Sequence, residues 1–209
     1  MDNQTDTILT TVEALEARYG EVSAPAIRKV ADHMNPEYTA WMEASPFCAL
    51  ATVGPEGADA SPRGDRGQVV WLGDDRRTLL MPDWRGNNRM DSLRNIVRDG
   101  RVALMFLVPG ADTVLRVNGR AVLSVAPAVV DRFADRGAAP RSVIVITVGE
   151  VYFQCARAVI RAGIWDQATW GDISVLPTPG QILKAMTAGE LDGDRYDREW
   201  PARMKKTLW

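Results

Sequence analysis

The spacing of apolar residues changes near residue 45, and the change divides the chain into two parts. Before it, Ile8, Val12 and Leu15 recur three or four residues apart, which predicts helices through the first 45 residues. After it, short apolar runs are bounded by glycine, proline and aspartate, which is typical of strands joined by turns. The predicted strands are 47–53, 58–62, 68–72, 78–81, 101–108, 113–125 and 141–158.

Helices are predicted between and after these strands. Beyond the fourth strand, Met90, Leu93 and Val97 form an apolar stripe at helical spacing. Asn88 is the expected N-cap of this helix, and Gly100 is expected to end it. The whole pattern predicts an α+β fold in which mostly antiparallel strands form a small barrel. Further helices are predicted at 127–137 and 179–190.

The length and composition indicate one domain. A chain of 209 residues, 46% hydrophobic and 25% charged, has enough apolar content for one substantial core. We predict a single domain over 1–209. It would have N-terminal helices in 1–45, a barrel core in 46–160, and C-terminal loops, a helix and a polar tail in 161–209.

Charge and cysteine usage restrict the partners and the compartment. The net charge of −2 argues against nucleic acid or an anionic membrane as a partner. The apolar runs are too short to cross a bilayer, and the first residues lack the features of a secretion signal, so we expect a cytoplasmic protein. Cys48 and Cys155 lie in apolar, strand-like sequence and are predicted to be buried free thiols.

The single histidine restricts the chemistry. His33 lies in an amphipathic stretch without a recognisable motif, and we expect it on a helix surface. Ser-His-Asp catalysis would depend on this residue alone, and a site of clustered histidine and cysteine ligands lacks enough of them. We therefore predict no metal site and identify no catalytic residue.

The segment 82–95 carries the strongest signal for ligand binding. Asn88 and Arg89 stand where a helix is expected to begin, so free backbone N–H groups and a guanidinium would converge there. Gly86 allows close approach of the backbone, and Ser92 lies one turn further on. These residues predict a phosphate site, and the alternative is an ordinary capped helix after a turn.

The segment 61–65, SPRGD, strengthens the phosphate hypothesis. Arg63 and Arg89, facing each other across a small barrel, would suit a dianion such as a phosphomonoester. Asp65 would orient Arg63 or accept a hydrogen bond from an N–H group of a ligand ring. The alternative is that these charges belong to solvated turns between strands.

A glycine inside the predicted strand 113–125 indicates a special position. Asn118 and Gly119 have apolar residues on both sides, which is unlike a hairpin tip. Glycine within a strand is typical of a bulge or of close approach by another backbone or a ligand. A dimer contact and a strand irregularity are both consistent with this position.

Four motifs occur in an order that resembles a known family. They are SPRGD at 61–65, PDWRGNNRMDSLRN at 82–95, LRVNGRA at 115–121 and VYFQCARA at 151–158. In this order they resemble the FMN-binding split-barrel proteins related to pyridoxamine 5′-phosphate oxidase, specifically a bacterial subgroup marked by SPRGD. The resemblance covers about residues 45–170. It implies a six-stranded antiparallel Greek-key split β-barrel with flanking helices, built as a homodimer with FMN at the interface.

The resemblance also implies roles around FMN. The SPRGD segment would lie beside the flavin, one strand end would run along the isoalloxazine ring, and the start of the helix would grip the phosphate. Arg116 or Arg161 is a candidate to stabilise the reduced flavin near N1 and O2. The residues predicted to bind FMN, from the loops and the resemblance together, are Arg63, Gly64, Asp65, Met81, Pro82, Asp83, Asn88, Arg89 and Ser92, with Val114, Leu115, Arg161 and Trp165 from the opposite subunit.

Departures from the family pattern narrow the predicted activity. Gln154 stands where the family has histidine, Arg157 where it has lysine, and Val114 where it has threonine. The C-terminal arginine–x–histidine pair of the oxidase is also missing. We therefore predict an FMN-dependent oxidoreductase with an unidentified small-molecule substrate, which does not oxidise pyridoxamine phosphate efficiently. The alternatives are a flavin-binding storage or sensor protein without turnover, and a deazaflavin-binding reductase.

Overall fold

The computed structural model describes residues 8–136 and 139–207, and within them helices flank a run of strands. The α-helices are α1 (Val12–Tyr19), α2 (Ala24–Arg28), α3 (Pro36–Glu43), α4 (Asp91–Arg98), α5 (Pro127–Val130), α6 (Arg157–Ala162), α7 (Pro179–Met186) and α8 (Gly193–Thr207). The strands are β1 (Phe47–Gly54), β2 (Gly57–Gly64), β3 (Trp71–Leu72), β4 (Thr78–Asp83), β5 (Arg101–Leu107), β6 (Val114–Ser124) and β7 (Ser142–Gln154). Short 3₁₀ helices cover Asp131–Arg136, Gln167–Thr169 and Ile173–Val175.

The strands form one antiparallel sheet in the order β2-β1-β5-β6-β7-β4-β3, so β2 and β3 are its edges. The predicted α+β class is confirmed, but the described strands form an open sheet rather than the closed barrel expected from the sequence. The described sheet has seven strands rather than the six implied by the resemblance, because the short β3 pairs with β4. The predicted strand 68–72 is reduced to Trp71–Leu72, since the Gln68 side chain, rather than a neighbouring strand, donates to the carbonyl oxygen of Val70 at 2.7 Å.

One face of the sheet carries the main core. In β1, Cys48, Leu50 and Thr52 are buried and alternate with more accessible residues, as expected for a strand with one buried face. Leu104 and Phe106 of β5 lie opposite Leu50 and Cys48 and are buried as well. Helix α3 packs on β6 and β7, and α4 packs on β1. This packing fixes α4, and with it the loop between β4 and α4, next to the end of β2.

Helix α4 buries a different face from the predicted one. Leu93 packs against the core as expected, but Met90 precedes the helix and Val97 is exposed. Asn95 donates from Nδ2 to Oγ1 of Thr52 on β1 at 3.2 Å, so a buried polar contact helps to orient the helix. The search for an apolar stripe could not identify the buried face of the helix, because two of the three buried residues are polar. The buried residues of the helix are Ser92, Asn95 and Ile96.

Of the two interpretations that the sequence left open for the RVNG segment, the structure shows the strand irregularity. The pairing of β6 with β7 shifts register between Asn118 and Gly119. A Cβ atom at Gly119 would lie 2.2 Å from the carbonyl oxygen of Thr147, so only glycine fits this approach of two backbones. The approach occurs within one chain, and it accounts for the glycine without a dimer contact.

The predicted burial is confirmed for Cys48 but not for Cys155, and His33 is on the surface but not on a helix. His33 is exposed, but it lies in the bend between α2 and α3 rather than on a helix, with Nδ1 2.8 Å from Oδ1 of Asp32. Cys48 is buried and Cys155 is exposed; both are free thiols. The prediction for Cys155 was wrong because β7 ends one residue before it.

The predicted polar tail is largely a helix. Helix α8 packs against α7, and Gly180 and Gly193 allow the two backbones to touch. The Asp197 carboxylate accepts a hydrogen bond from the Gly180 N–H at 2.9 Å, which joins the two helices. Charged sequence around Pro201 concealed the helix, and residues 208 and 209 lie outside the described part. In residues 8–136 and 139–207, no helix has both the length and the apolar character needed to span a membrane.

Candidate functional site

Strands β2 and β4 are not neighbours in the sheet, but their ends contact each other through side chains. We call the region between the ends of β2 and β4 the seam. Arg63 on β2 donates from Nη1 to Oδ1 of Asp83, the last residue of β4, at 2.6 Å. Only 21% of the Arg63 side chain and 15% of the Asp83 side chain are exposed. Because charged groups attract more strongly away from water, this ion pair holds the arginine in place across the seam.

A cleft of about 400 Å³ opens on the seam. This volume lies within the range of small-molecule sites, roughly 300–1,000 Å³. Apolar side chains and three arginines share the lining, so a ligand would meet both an apolar wall and positive charge. The cleft is lined by Ser61, Pro62, Arg63, Gly64, Asp65, Val69, Met81, Pro82, Asp83, Trp84, Gly86, Asn87, Asn88, Arg89, Met90, Leu93, Arg141 and Ser142.

The cleft brings together most of the residues that the sequence predicts to bind FMN within one chain. They come from the ends of β2 and β4 and from the loop that leads into α4. Ser92 instead lines a polar depression of about 140 Å³ that adjoins the cleft at Arg63 and Arg89. The predicted residues in the cleft itself are Arg63, Gly64, Asp65, Met81, Pro82, Asp83, Asn88 and Arg89.

Arg63 has a buried donor without an acceptor. Its Nε atom is shielded from solvent and has no hydrogen-bond partner in the part of the chain that the structure describes. Such donors are rare, since an unsatisfied buried N–H costs about 1–3 kcal/mol. An oxygen of an anionic ligand beside this atom would satisfy it.

The carboxylate that accepts a hydrogen bond from Arg63 Nη1 is that of Asp83, a contact that the sequence analysis did not predict. Asp65 accepts a hydrogen bond from the backbone N–H of Arg66 at 2.6 Å and lines the cleft. Both roles suggested for Asp65 from the sequence, orienting Arg63 and accepting from an N–H group of a ligand ring, stay predictions.

The loop before α4 has a different local structure from the predicted cap. The helix begins at Asp91, and Met90 occupies the N-cap position without a side-chain cap hydrogen bond. Asn88 is not the cap; its φ of 62° is left-handed, a conformation that asparagine tolerates better than most residues. Arg89 donates from Nε to Oδ2 of Asp91 at 2.6 Å, and this contact raises the pKa of Arg89. The Arg89 side chain is 80% exposed, so it is accessible to a ligand.

Carboxylates already face the start of α4. The Ser92 hydroxyl donates to Oδ2 of Asp59, and this contact joins α4 to β2 beside the seam. Asp91 lies in the first turn of the helix, where the helix dipole favours negative charge. A phosphate bound here would therefore depend on the arginines to offset Asp59 and Asp91.

Arg141 also lines the cleft and was missed by the sequence analysis. It stands directly before β7, and its backbone N–H donates to the carbonyl oxygen of Asp83 at 3.0 Å. Its Nη1 donates to Oδ1 of Asn88 at 2.6 Å. Only the antiparallel pairing of β4 with β7, which puts Asp83 opposite Ser142, could have revealed this position.

The other predicted residues lie away from the cleft of the same chain. Val114 and Leu115 are buried at the start of β6. Arg161 and Trp165 line a separate depression of about 530 Å³ around α6, where Trp165 Nε1 donates to the carbonyl oxygen of Ala111 at 2.9 Å. Their predicted contribution to the site of a partner subunit stays a prediction.

Comparison with known proteins gives one family match. The family model described as pyridoxamine 5′-phosphate oxidase matches residues 34–155, which include every cleft residue and exclude α6 to α8. No curated protein matches the chain.

Solved structures with partial similarity include three bacterial proteins. HupZ from Group A Streptococcus is 18% identical, with 57% of this chain and 93% of that chain covered and a TM-score of 0.47. General Stress Protein 26 from Bacillus anthracis is 13% identical, with coverages of 55% and 88% and a TM-score of 0.40. A FAD-binding protein from Mesorhizobium loti is 17% identical, with coverages of 59% and 94% and a TM-score of 0.39.

Proposed function

Since the chain belongs to the pyridoxamine 5′-phosphate oxidase family, as the match over residues 34–155 shows, we propose that it binds FMN in the cleft on the seam and acts as an oxidoreductase on a small molecule. The observation that carries the proposal is Arg63, whose buried Nε has no acceptor among the described residues and which lines a cleft of about 400 Å³. This donor suits an anionic group, and the cleft has the volume of a cofactor site.

The cleft has an apolar part and a positively charged part, which suit the ring system and the phosphate of FMN. Met81, Val69 and Leu93 contribute apolar surface, which suits a flat ring system. Arg63 and Arg89 contribute guanidinium groups, which suit a phosphate dianion. These residues would hold the cofactor by its phosphate and orient its ring.

The redox chemistry would be supplied by the bound flavin, while the protein supplies anchorage, orientation and electrostatics. Asp83 would keep Arg63 in the position that an anion requires, because it fixes Nη1 and leaves Nε unpaired. The apolar wall around Met81 would exclude water from the ring. We assign no general acid or base in the cleft.

We further propose that the protein is a homodimer. Ala49, Met105, Arg116 and Tyr152 lie opposite one another on consecutive pairs of neighbouring strands, so they share one face of the sheet. Met105 is 42% exposed there, and Phe47 nearby is exposed too. A second copy covering this face would bury these apolar side chains and bring Val114, Leu115, Arg161 and Trp165 towards the neighbouring cleft, as the family resemblance implies.

We propose that the protein does not oxidise pyridoxamine phosphate efficiently. Gln154 occupies the position of the family's histidine, and His33 is the only histidine in the chain. The arginine–x–histidine pair that holds the substrate in the oxidase is therefore absent.

The test is the absorption spectrum and mass of whatever co-purifies with the full chain, followed by titration of flavin-free protein with FMN. We expect a yellow protein, with FMN affinity about ten- to a hundredfold weaker in Arg63→Ala and in Arg89→Ala, since a charged hydrogen bond contributes about 1.5–3 kcal/mol. Arg98→Ala is the matched control, because it removes an exposed arginine from the far end of α4. A colourless protein that does not take up FMN would refute the proposal.

Turnover needs a separate measurement. Stopped-flow mixing of the FMN-loaded protein with NADH or NADPH should bleach the flavin absorbance rapidly if the protein is an oxidoreductase. If neither NADH nor NADPH reduces the bound FMN, the result would instead favour a flavin-binding protein that does not turn over with these donors.

A further inference from the structure

Arg141 is held at the rim of the cleft by its backbone. Its N–H donates to the carbonyl oxygen of Asp83 at 3.0 Å, and the next residue, Ser142, begins the pairing of β7 with β4. The same Asp83 holds Arg63 through its carboxylate. One residue at the end of β4 therefore fixes two arginines of the cleft.

The side chain of Arg141 determines the orientation of the Asn88 amide. A guanidinium only donates hydrogen bonds, so the Asn88 atom that lies 2.6 Å from Arg141 Nη1 is the amide oxygen. With the oxygen taken, the amide NH₂ group of Asn88 points away from Arg141. Both residues line the cleft, and the backbone of Asn88 has the left-handed conformation.

We propose that Arg141 is a positioning residue of an anion site, which turns the NH₂ group of Asn88 towards the phosphate of the bound ligand. Asn88 is then a donor to the phosphate, beside Arg63 and Arg89. The proposal rests on the proposed function for the identity of the ligand, FMN. Arg141, which lies outside the two loops that the sequence analysis identified, would then determine the preference for a ligand that carries a phosphate.

The ligand specificity follows from this arrangement. An asparagine amide can present either oxygen or nitrogen, and an amide oxygen facing a phosphate would repel it. Arg141 removes the unfavourable orientation by binding the oxygen. The cleft should therefore prefer FMN to riboflavin, which has the same ring system and no phosphate, and the preference should depend on Arg141.

The experiment compares three variants of the full chain, Arg141→Ala, Arg141→Lys and Asn88→Asp, with Arg98→Ala as the control arginine. Each flavin-free protein is titrated with FMN and with riboflavin. We expect Arg141→Ala to bind FMN about tenfold more weakly and riboflavin as the wild type does, since one oriented donor is lost. Arg141→Lys, which still donates to the Asn88 oxygen, should recover most of the FMN affinity.

Asn88→Asp separates a structural role from an anion-binding role. The aspartate still accepts from Arg141, so the loop keeps its anchor, but it has no NH₂ group and adds negative charge. We expect this variant to keep the wild-type melting temperature and to lose FMN affinity by more than tenfold. Full FMN affinity in Asn88→Asp would overturn the proposal.

Two further results would also overturn it: unchanged FMN affinity in Arg141→Ala, or equal losses for FMN and riboflavin, which indicate a purely structural role. Inorganic phosphate, added to ¹⁵N-labelled wild type and followed through the side-chain amide signal of Asn88, tests the site without flavin. A shift of that signal that is lost in Arg141→Ala supports the anion site even if no flavin binds, in which case only the proposed function fails. No response to phosphate and no flavin binding would refute both.

Discussion

The Arg63 guanidinium and the Asp83 carboxylate, 2.6 Å apart, join strands β2 and β4, which are separated in the sheet by the four strands β1, β5, β6 and β7. A second side-chain contact, from Ser92 to Asp59, joins α4 to β2 beside the seam. Backbone hydrogen bonds hold the rest of the sheet together. The seam, where the cleft lies, depends on side chains that can also bind a ligand.

The contribution of this ion pair is tested by Asp83→Asn. The variant leaves a largely buried Arg63 without its counter-charge, and we expect the free energy of unfolding to fall by about 1–3 kcal/mol. Urea denaturation followed by circular dichroism measures the change. Glu199→Gln, which removes an exposed ion pair with Arg195, is the control and should change stability by less than about 0.5 kcal/mol. Equal effects in the two variants would show that the seam does not depend on Asp83.

Neighbouring residues of α4 should respond very differently to truncation. Ile96 is 3% exposed and belongs to the main core, whereas Val97 is 72% exposed. Ile96→Ala should therefore lower the free energy of unfolding by about 2–5 kcal/mol, and Val97→Ala should change it by less than about 0.5 kcal/mol. Thermal or urea unfolding of both variants gives the comparison. A large loss for Val97→Ala would mean that the helix buries the apolar stripe predicted from the sequence.

Much of the fold could be predicted because it depends on local patterns. Alternating burial in β1, the turn between β1 and β2, and the register shift at Gly119 are all visible in runs of fewer than about ten residues. Helix α8 was missed because its pattern is charged and contains Pro201. Local sequence therefore predicted the sheet better than the helices packed around it.

The location of the candidate site was predicted from the composition of two loops rather than from the spacing of apolar residues. Loops rich in arginine, asparagine and glycine indicated both sides of the cleft, and Arg63 and Arg89 do line it. The partners of these residues were not predicted, because Arg63 with Asp83 and Arg141 with Asn88 are contacts across the fold. Charge alone gives no preference between Asp65 and Asp83 until the strand order is known.

The close approach at Gly119 should make that position intolerant of any side chain. Gly119→Ala would place a Cβ atom 2.2 Å from the Thr147 carbonyl oxygen, so β6 and β7 must separate or the variant must lose the bulge. We expect a loss of more than about 2 kcal/mol in the free energy of unfolding. At Gly171 a Cβ atom meets nothing within 4 Å, and Gly171→Ala should be neutral or slightly stabilising. Similar stabilities for the two variants, measured in urea, would contradict the observed register.

The two thiols should differ sharply in reactivity. Burial raises the pKa of Cys48 from 9.0 to about 12, although the positive charge of Arg63 acts in the opposite direction. Below pH 9 the Cys48 thiol is therefore protonated in the folded protein, and only the thiolate attacks a disulfide reagent. An aromatic disulfide reagent at mildly alkaline pH should label Cys155, which is exposed, and leave Cys48 unmodified until denaturant is added. Cys155→Ser should abolish the native-state reaction, and rapid labelling in that variant would show that Cys48 is accessible in the folded protein.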